Sequence, residues 1–414
     1  MLRDEIDRLV CSNQGSWERL FQELVRIPSV FEGEQSIVDF VHTRLRLLGI
    51  HTVLVPFDSA LLTRLPTAQR PISTVEGRHN LVARLRGRGG GGLSLVLNCH
   101  LDVVPAGHEG EWTHPTFAAH IENGVIYGRG AYDDKAGAAI CLAVLESLVT
   151  SGAEPRGDIV VHFVLEDECT GNGSLLCLEA GHGGDAAVII DGTRLDKGIN
   201  QHAGNCQVSI TVKGRPASVS VSHVGINAAE MLASLLLDMR QAIFARNAAN
   251  KAPWSRFPSP NQFVVQSLRS QGAPLTVPVA ATAQAYITFT PPARLADIRF
   301  LLGKVAEKFA RKNGLPESPA LDWSGFAAEP VNSASAEIVA AINGAARRQG
   351  MEFIDFGPST GTSDLRHFVD RGIPCVLYGP GMGFNPHRAD EHYHLDSLSK
   401  MVRLLLHLAR QWCG

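Results

Sequence analysis

Trp17, Leu20, Phe21, Leu24 and Val25 recur at the spacing of one helical face, and Ile37, Val38, Val41, Leu45 and Leu48 repeat that spacing before Gly49, a residue suited to ending a helix. The pattern then changes. Short continuous apolar runs at 93–99, 158–165, 186–190 and 374–378 read as strands buried on both faces. Helical stretches separate them, notably 136–149 with Ile140, Leu142, Leu145 and Val149. Strands alternating with helices predict an α/β sheet with helices on both faces. From about 201 to 313 the order differs: strand 207–212, helix 227–246, strands 263–268 and 283–289, helix 294–312. The α/β pattern resumes with a helix over 336–348, closed by Gly350. The expectation is a discontinuous outer domain, residues 1–202 and 314–414, carrying an inserted α+β unit over 203–313.

Length and composition narrow the class. A chain of 414 residues exceeds one ordinary core, so two or three domains are expected. With 45% hydrophobic and 19% charged residues it has the balance of a folded globular protein. Lys plus Arg number 38 against 41 Asp plus Glu, without a basic cluster, which argues against a nucleic-acid surface. No uninterrupted apolar run reaches about 18 residues, so no transmembrane helix is expected. The opening MLRDEIDRLVCS mixes in acidic residues and does not read as a secretory signal. Eight cysteines without CxxC spacing fit free thiols and a cytoplasmic location. The glycine-rich stretch Gly87–Gly92 lacks the GK[ST] ending of a phosphate loop and precedes a strand, so a hairpin turn is predicted there.

Candidate chemistry lies just past the strands. The first run leads into His100 and Asp102, an imidazole with a carboxylate two residues on, as in a metal ligand with an orienting partner. Gly128 and Gly130 bracket a tight loop that presents Asp133 and Asp134 before a helix. The second run ends in Glu166, Asp167 and Glu168, which would repel one another unless something cationic lay among them. The third ends in Asp191, and the fourth is followed by His387, Asp390 and Glu391. In open α/β sheets the carboxyl ends of the strands collect at one edge, where sites form. Mixed nitrogen and oxygen donors there suit zinc, with cobalt or manganese able to replace it.

The segments NCHLDVVPAG, NGVIYGRGAYDDKAG, LEDECTGNG, IIDGT, GTSDLRHF and YGPG…PHRADEHYHLDSL resemble, in order, the family of co-catalytic zinc hydrolases. That family includes acetylornithine deacetylase, succinyl-diaminopimelate desuccinylase, aminoacylase and glutamate-releasing carboxypeptidases; ECTGNG resembles the acetylornithine-deacetylase type most. The resemblance implies a metallopeptidase-type catalytic domain with an inserted lid that often pairs two subunits. It also implies two divalent metals, with His100 and Asp191 on one, Glu168 and His387 on the other, and Asp133 bridging. Asp102 would orient His100, and Arg366 would pair with a substrate carboxylate. The activity implied is metal-assisted hydrolysis of an amide in an N-acyl amino acid or small peptide-like metabolite.

Three departures stand out. Where the family has a Glu as general base this chain has Asp167, whose carboxylate stands roughly 1–1.5 Å further back. A misplacement of about 1 Å can cost on the order of 10²-fold in rate. The lid position where relatives carry an oxyanion-stabilising His holds Ser218, with His223 close by in another register. The lid strand LTVPVAATAQAYITF lacks the Asn, Asp and Arg usual in relatives. These losses keep two other readings open: condensation, cyclisation or elimination on a specialised metabolite, and a non-catalytic metal-binding homologue.

Overall fold

The computed structural model describes residues 3–70 and 76–414. The chain divides into two compact units, one of residues 1–200, 332–357 and 363–414, the other of 201–331 and 358–362.

In the first unit the main sheet runs His51–Pro56, His79–Leu85, Ile159–Val164, Leu95–His100, Ala186–Ile189, Cys375–Leu377 and then Lys197–His202. The four strands from Ile159–Val164 to Cys375–Leu377 are mutually parallel, in registers such as Leu95 opposite Ile159 and Val376 opposite Val188. Their carboxyl ends therefore point to one edge. Every residue of Leu95–His100, Ile159–Val164 and Ala186–Ile189 is buried, so both faces of the sheet are covered, as the unbroken apolar runs require. The helix Lys135–Thr150 is apolar around nearly its whole circumference and lies inside the unit beside Leu95–His100. Its N-cap is Asp134, whose Oδ1 accepts from Gly137 N at 3.1 Å. The C-terminal helix Leu395–Trp412 packs its apolar stripe on the helices Arg3–Arg26, Lys135–Thr150 and Ala336–Arg348.

The Gly87–Gly92 stretch is not the hairpin turn expected. The strands it joins are not neighbours, because Ile159–Val164 lies between them. The stretch instead crosses the start of that strand, with Arg88 N and Gly89 N donating to Pro155 O and Arg156 O. Glycine is needed because a Cβ on Gly92 would stand 2.3 Å from Gly157 N and Cys413 O.

The second unit is an antiparallel sheet in the order Gln262–Gln271, Ala280–Phe289, Gly204–Lys213, Ala320–Asp322, covered by helices. Gly204–Lys213 alternates buried and half-buried positions after its first residues. Val208, Ile210 and Val212 point into a core with Leu232, Leu235 and Met239 of helix Ala228–Phe244 and Leu302 of helix Leu295–Asn313. The unit extends past the expected boundary at 313. Ala320–Asp322 and Ala327–Ala328 both pair with Gly204–Lys213, which holds the chain in this unit to Val331.

Candidate metal centre

His100 is the last residue of its strand, Glu168 lies four residues past Ile159–Val164, and Asp191 two past Ala186–Ile189. His387 is in the loop between the short strands Gly383–Phe384 and His392–His394, past Cys375–Leu377, and Asp133 in the loop before the helix Lys135–Thr150. The fold brings all five together. Asp133 stands in the middle, with Oδ1 3.0 Å from His100 Nε2 and Oδ2 3.1 Å from His387 Nε2. Glu168 Oε2 lies 2.8 Å from the same His387 nitrogen. Two donor triads result, His100–Asp133–Asp191 and Asp133–Glu168–His387, each with its atoms within 4.8 Å of one another. Shared carboxylate, imidazole nitrogen and terminal carboxylates form a donor set that could hold a pair of divalent ions.

The electrostatics fit such a site. Burial alone would raise the Asp133 carboxyl, yet hydrogen bonds with His100 and His387 outweigh it and hold the group well below the usual range. Burial and neighbouring carboxylates, Asp133 foremost, push Asp191 well up. Burial and Asp133 bring Glu168 to about 7 against the pull of His387. Hydrogen bonds to Asp133 and Glu168 lift His387 to about 10. Burial works against charge on His100, but the Asp102 and Asp133 carboxylates beside the ring reverse this and raise it well above 6.5. So many acids facing two imidazoles need cations, and divalent ions supply them.

Asp102 orients His100 differently from expectation. Its backbone carbonyl, not its carboxylate, accepts from His100 Nδ1 at 2.8 Å, while the carboxylate Oδ1 stands at 3.6 Å. That bond puts the Nδ1 proton on the far side and leaves Nε2 as the donor atom facing Asp133. The carboxylate Oδ2 accepts from Glu168 N at 3.3 Å, linking both triads.

Glu166 is fully buried at φ +68°, a conformation unusual for a non-glycine residue. Arg78 Nη1 donates to it at 2.5 Å and Thr170 Oγ1 at 2.5 Å, so it is a structural anchor with no free role as a base. Arg78 also donates to Glu34 at 2.6 Å between the rings of Phe31 and Phe57. Asp167 is left as the carboxylate among the charges of His100, Asp102 and Asp133; burial first, then those acids, raise its pKa.

Arg366 departs from its expected place. The residue is 7% exposed, and Nη2 donates to Thr170 O at 2.7 Å while Nη1 donates to Ser363 O at 3.1 Å. The guanidinium thus braces the loop after Glu168 instead of presenting its fork to a substrate carboxylate. The fit is close: a Cβ on Gly171, at φ +69°, would meet Arg366 Nη2 at 2.2 Å. Asp364 Oδ1 stands 3.7 Å from the same nitrogen. In the second unit Ser218 and His223 are both exposed, Ser218 just before the short 3₁₀ turn Val219–Val224 and His223 within it.

The sequence places Glu391 in an acidic pair after His387 without giving it a role. Its fully buried carboxylate accepts from Arg129 Nη1 at 2.5 Å, Gly130 N at 3.1 Å, Tyr132 N at 2.9 Å and Asp133 N at 3.0 Å. It therefore shapes the loop that carries the central ligand candidate. The signal available was an acidic residue close after His387, with nothing to name its partners.

An α/β unit with two carboxylate–imidazole triads at its strand ends and an inserted α+β unit is the architecture of the metal-dependent amide hydrolases. Residues 96–411 match the family model of Peptidase family M20/M25/M40, and the chain belongs to that family. It is 24% identical over 367 residues to the N-formyl-4-amino-5-aminomethyl-2-methylpyrimidine deformylase of Bacillus subtilis (strain 168), covering 82% of this chain and 84% of that one. Among solved structures it resembles a tripeptidase from Staphylococcus aureus (TM-score 0.78, 20% identity, 97% of this chain and 99% of that one). It also resembles a dinuclear metal-binding M20 peptidase from Bacillus subtilis (TM-score 0.70, 16% identity, 96% and 98%). The chain is accordingly a metal-dependent hydrolase of amide bonds. The non-hydrolytic and non-catalytic readings are set aside.

Proposed function

We propose that this chain uses two zinc ions to remove a small acyl group from an N-acyl amino acid or a comparable small amide. The observation that carries the metal pair is the Asp133 carboxylate, whose two oxygens face different imidazoles at 3.0 and 3.1 Å, the arrangement of a bridging ligand. His100 and Asp191 complete one site, Glu168 and His387 the other. When bound, the metals polarise the amide carbonyl and lower the pKa of the attacking water. Asp167 accepts the proton of that water and returns it to the departing amine. Asp102 fixes the His100 ring, and Arg366 braces the loop that carries Glu168.

The engaged Arg366 supports a second reading of the substrate. An amine half without a carboxylate needs no guanidinium, and the Bacillus subtilis relative is named for a formylated aminopyrimidine. The deciding experiment incubates the zinc-loaded protein with N-formyl and N-acetyl amines, with and without a carboxylate, and follows free amine by mass spectrometry. Turnover lost on chelation and in His100→Ala is expected. No product across both sets, with two metals bound, would overturn the reading.

Two finer points belong with it. A homodimer through the second unit is supported by Val264, Val265 and Leu268, exposed along the edge strand Gln262–Gln271, and by Leu237 on the helix Ala228–Phe244. Light scattering should give twice the chain mass, and Leu268→Lys should halve it. A cytoplasmic location is supported by eight free thiols, and among the described residues no helix is long and apolar enough to cross a membrane.

A further inference from the structure

A second group of metal-binding side chains lies outside the centre described above and shares no residue with it. His120 and Glu122 sit two apart on the short strand His120–Glu122, so both side chains leave the same face. The turn Asn123–Gly124, with φ +50° and +76°, closes this strand onto Val125–Tyr127 and fixes the register His120 opposite Tyr127. His114 reaches the same face from the preceding segment. Its ring stacks on that of His120 with centroids 3.8 Å apart at 24°, and leans on Tyr127 at 5.4 Å.

Three features make this more than a chance meeting of surface groups. The donor atoms of His114, His120 and Glu122 all lie within 4.8 Å of one another. An ion with bonds of about 2.0–2.2 Å needs donors no more than about 4.4 Å apart with converging lone pairs, so the two stacked rings splay to take it. The segment bearing His114 is held on its near side: Thr113 N and Oγ1 each donate to Asp390 at 2.8 Å, and Trp112 Nε1 donates to Ala106 O at 2.9 Å. The segment carrying His114 is thus held beside the hairpin before an ion arrives, which reduces the ordering cost of binding. Finally, among the described residues no basic side chain pairs with Glu122 and no hydrogen bond engages either ring, so the lone pairs are available.

We propose that His114, His120 and Glu122 form a third, mononuclear metal site for a borderline divalent ion such as zinc, nickel or copper. Two imidazoles and one carboxylate are the donor set such ions take, and three protein ligands leave an open position for water or an exogenous ligand. An ion there ties the 112–114 segment to the hairpin His120–Tyr127, which leads directly into the Gly128–Asp134 loop. The site stands independently of the hydrolytic reading.

The test is metal content after equilibrium dialysis of the intact protein against micromolar zinc, read by inductively coupled plasma mass spectrometry. The wild type is expected to hold three equivalents, and His120→Gln and Glu122→Gln two each. His100→Ala should lose zinc from the catalytic pair and keep the third equivalent, so failure at one centre is separable from failure at the other. Thermal unfolding of each variant confirms that it is folded, and added zinc should raise the melting temperature of His100→Ala more than that of the His100→Ala, His120→Gln double variant. Two equivalents in the wild type, or a third that survives in both glutamine variants as adventitious surface binding, overturns the proposal.

Discussion

His162 lies inside the strand Ile159–Val164, fully buried, with Nε2 donating to His182 O at 2.8 Å and Nδ1 without a hydrogen-bond partner. Burial lowers its pKa to about 4, so between pH 4 and 6.5 the unfolded chain binds the proton that the folded chain refuses. Stability from this residue is therefore full above about pH 6.5 and is lost as pH falls to 4. The shift corresponds to about 3 kcal/mol at its limit. His162→Gln keeps a donor for His182 O without the titration, and urea unfolding from pH 4 to 7 should show a shallower acid loss. An unchanged slope would remove His162 as its source. Asp167 is the other single residue with a clear consequence. Asp167→Asn should lower kcat by about 10²–10⁴-fold with metal content unchanged, the range of a lost general base. Because burial raises its pKa, the acid limb of kcat/KM should lie above the pH expected of an ordinary aspartate and should vanish in the Asn variant. Full activity in that variant would exclude Asp167 as the base.

The ligand candidates are well placed because short loops are clamped by distant side chains, and those clamps are what the sequence hid. His100, Asp133, Glu168, Asp191 and His387 are among the acids and imidazoles that the strand ends present, since parallel strands deliver their carboxyl ends to one edge, and the resemblance to the co-catalytic hydrolases singles out these five. The partners of Glu391 could not, since Arg129 and Asp133 lie 262 and 258 residues away along the chain. The Arg78 bridge between Glu34 and Glu166 was equally silent, spanning 44 and 88 residues. The same reason explains the domain boundary: Ala320–Asp322 is too short to signal a strand, and its partner lies over a hundred residues earlier. Glu391→Gln probes the clamp directly. An amide keeps the volume but replaces one acceptor oxygen with a donor, leaving N–H groups of the 130–133 loop facing an NH₂. Metal affinity at the catalytic pair should fall by about 10–100-fold, with the fold retained by circular dichroism. Undiminished affinity would show that the loop holds its shape without the clamp.

For the whole molecule, the metal pair and the proton compete for the same buried charges. In metal-free protein Glu168 titrates near 7 and His387 near 10, so the folded state holds protons that the unfolded chain has released. Both groups have folded values above their unfolded ones. Stability from Glu168 is thus lost as pH rises from 4.5 to 7, and from His387 as it rises from 6.5 to 10. Asp191, raised by burial, acts in the same sense. Bound metal reverses the trend, because its ligands must be deprotonated and its affinity grows with pH. Binding to the folded state alone then adds stability by mass action. His162 and other groups remote from the centre contribute equally with and without metal, so they cancel in the difference between the two forms. The gap in melting temperature between zinc-loaded and chelated protein should therefore widen steadily from pH 5 to 9, even where the loaded form alone changes little. Calorimetry of both forms across that range measures it. A gap that is constant or narrows would mean that these five side chains do not jointly hold the metal that stabilises the fold.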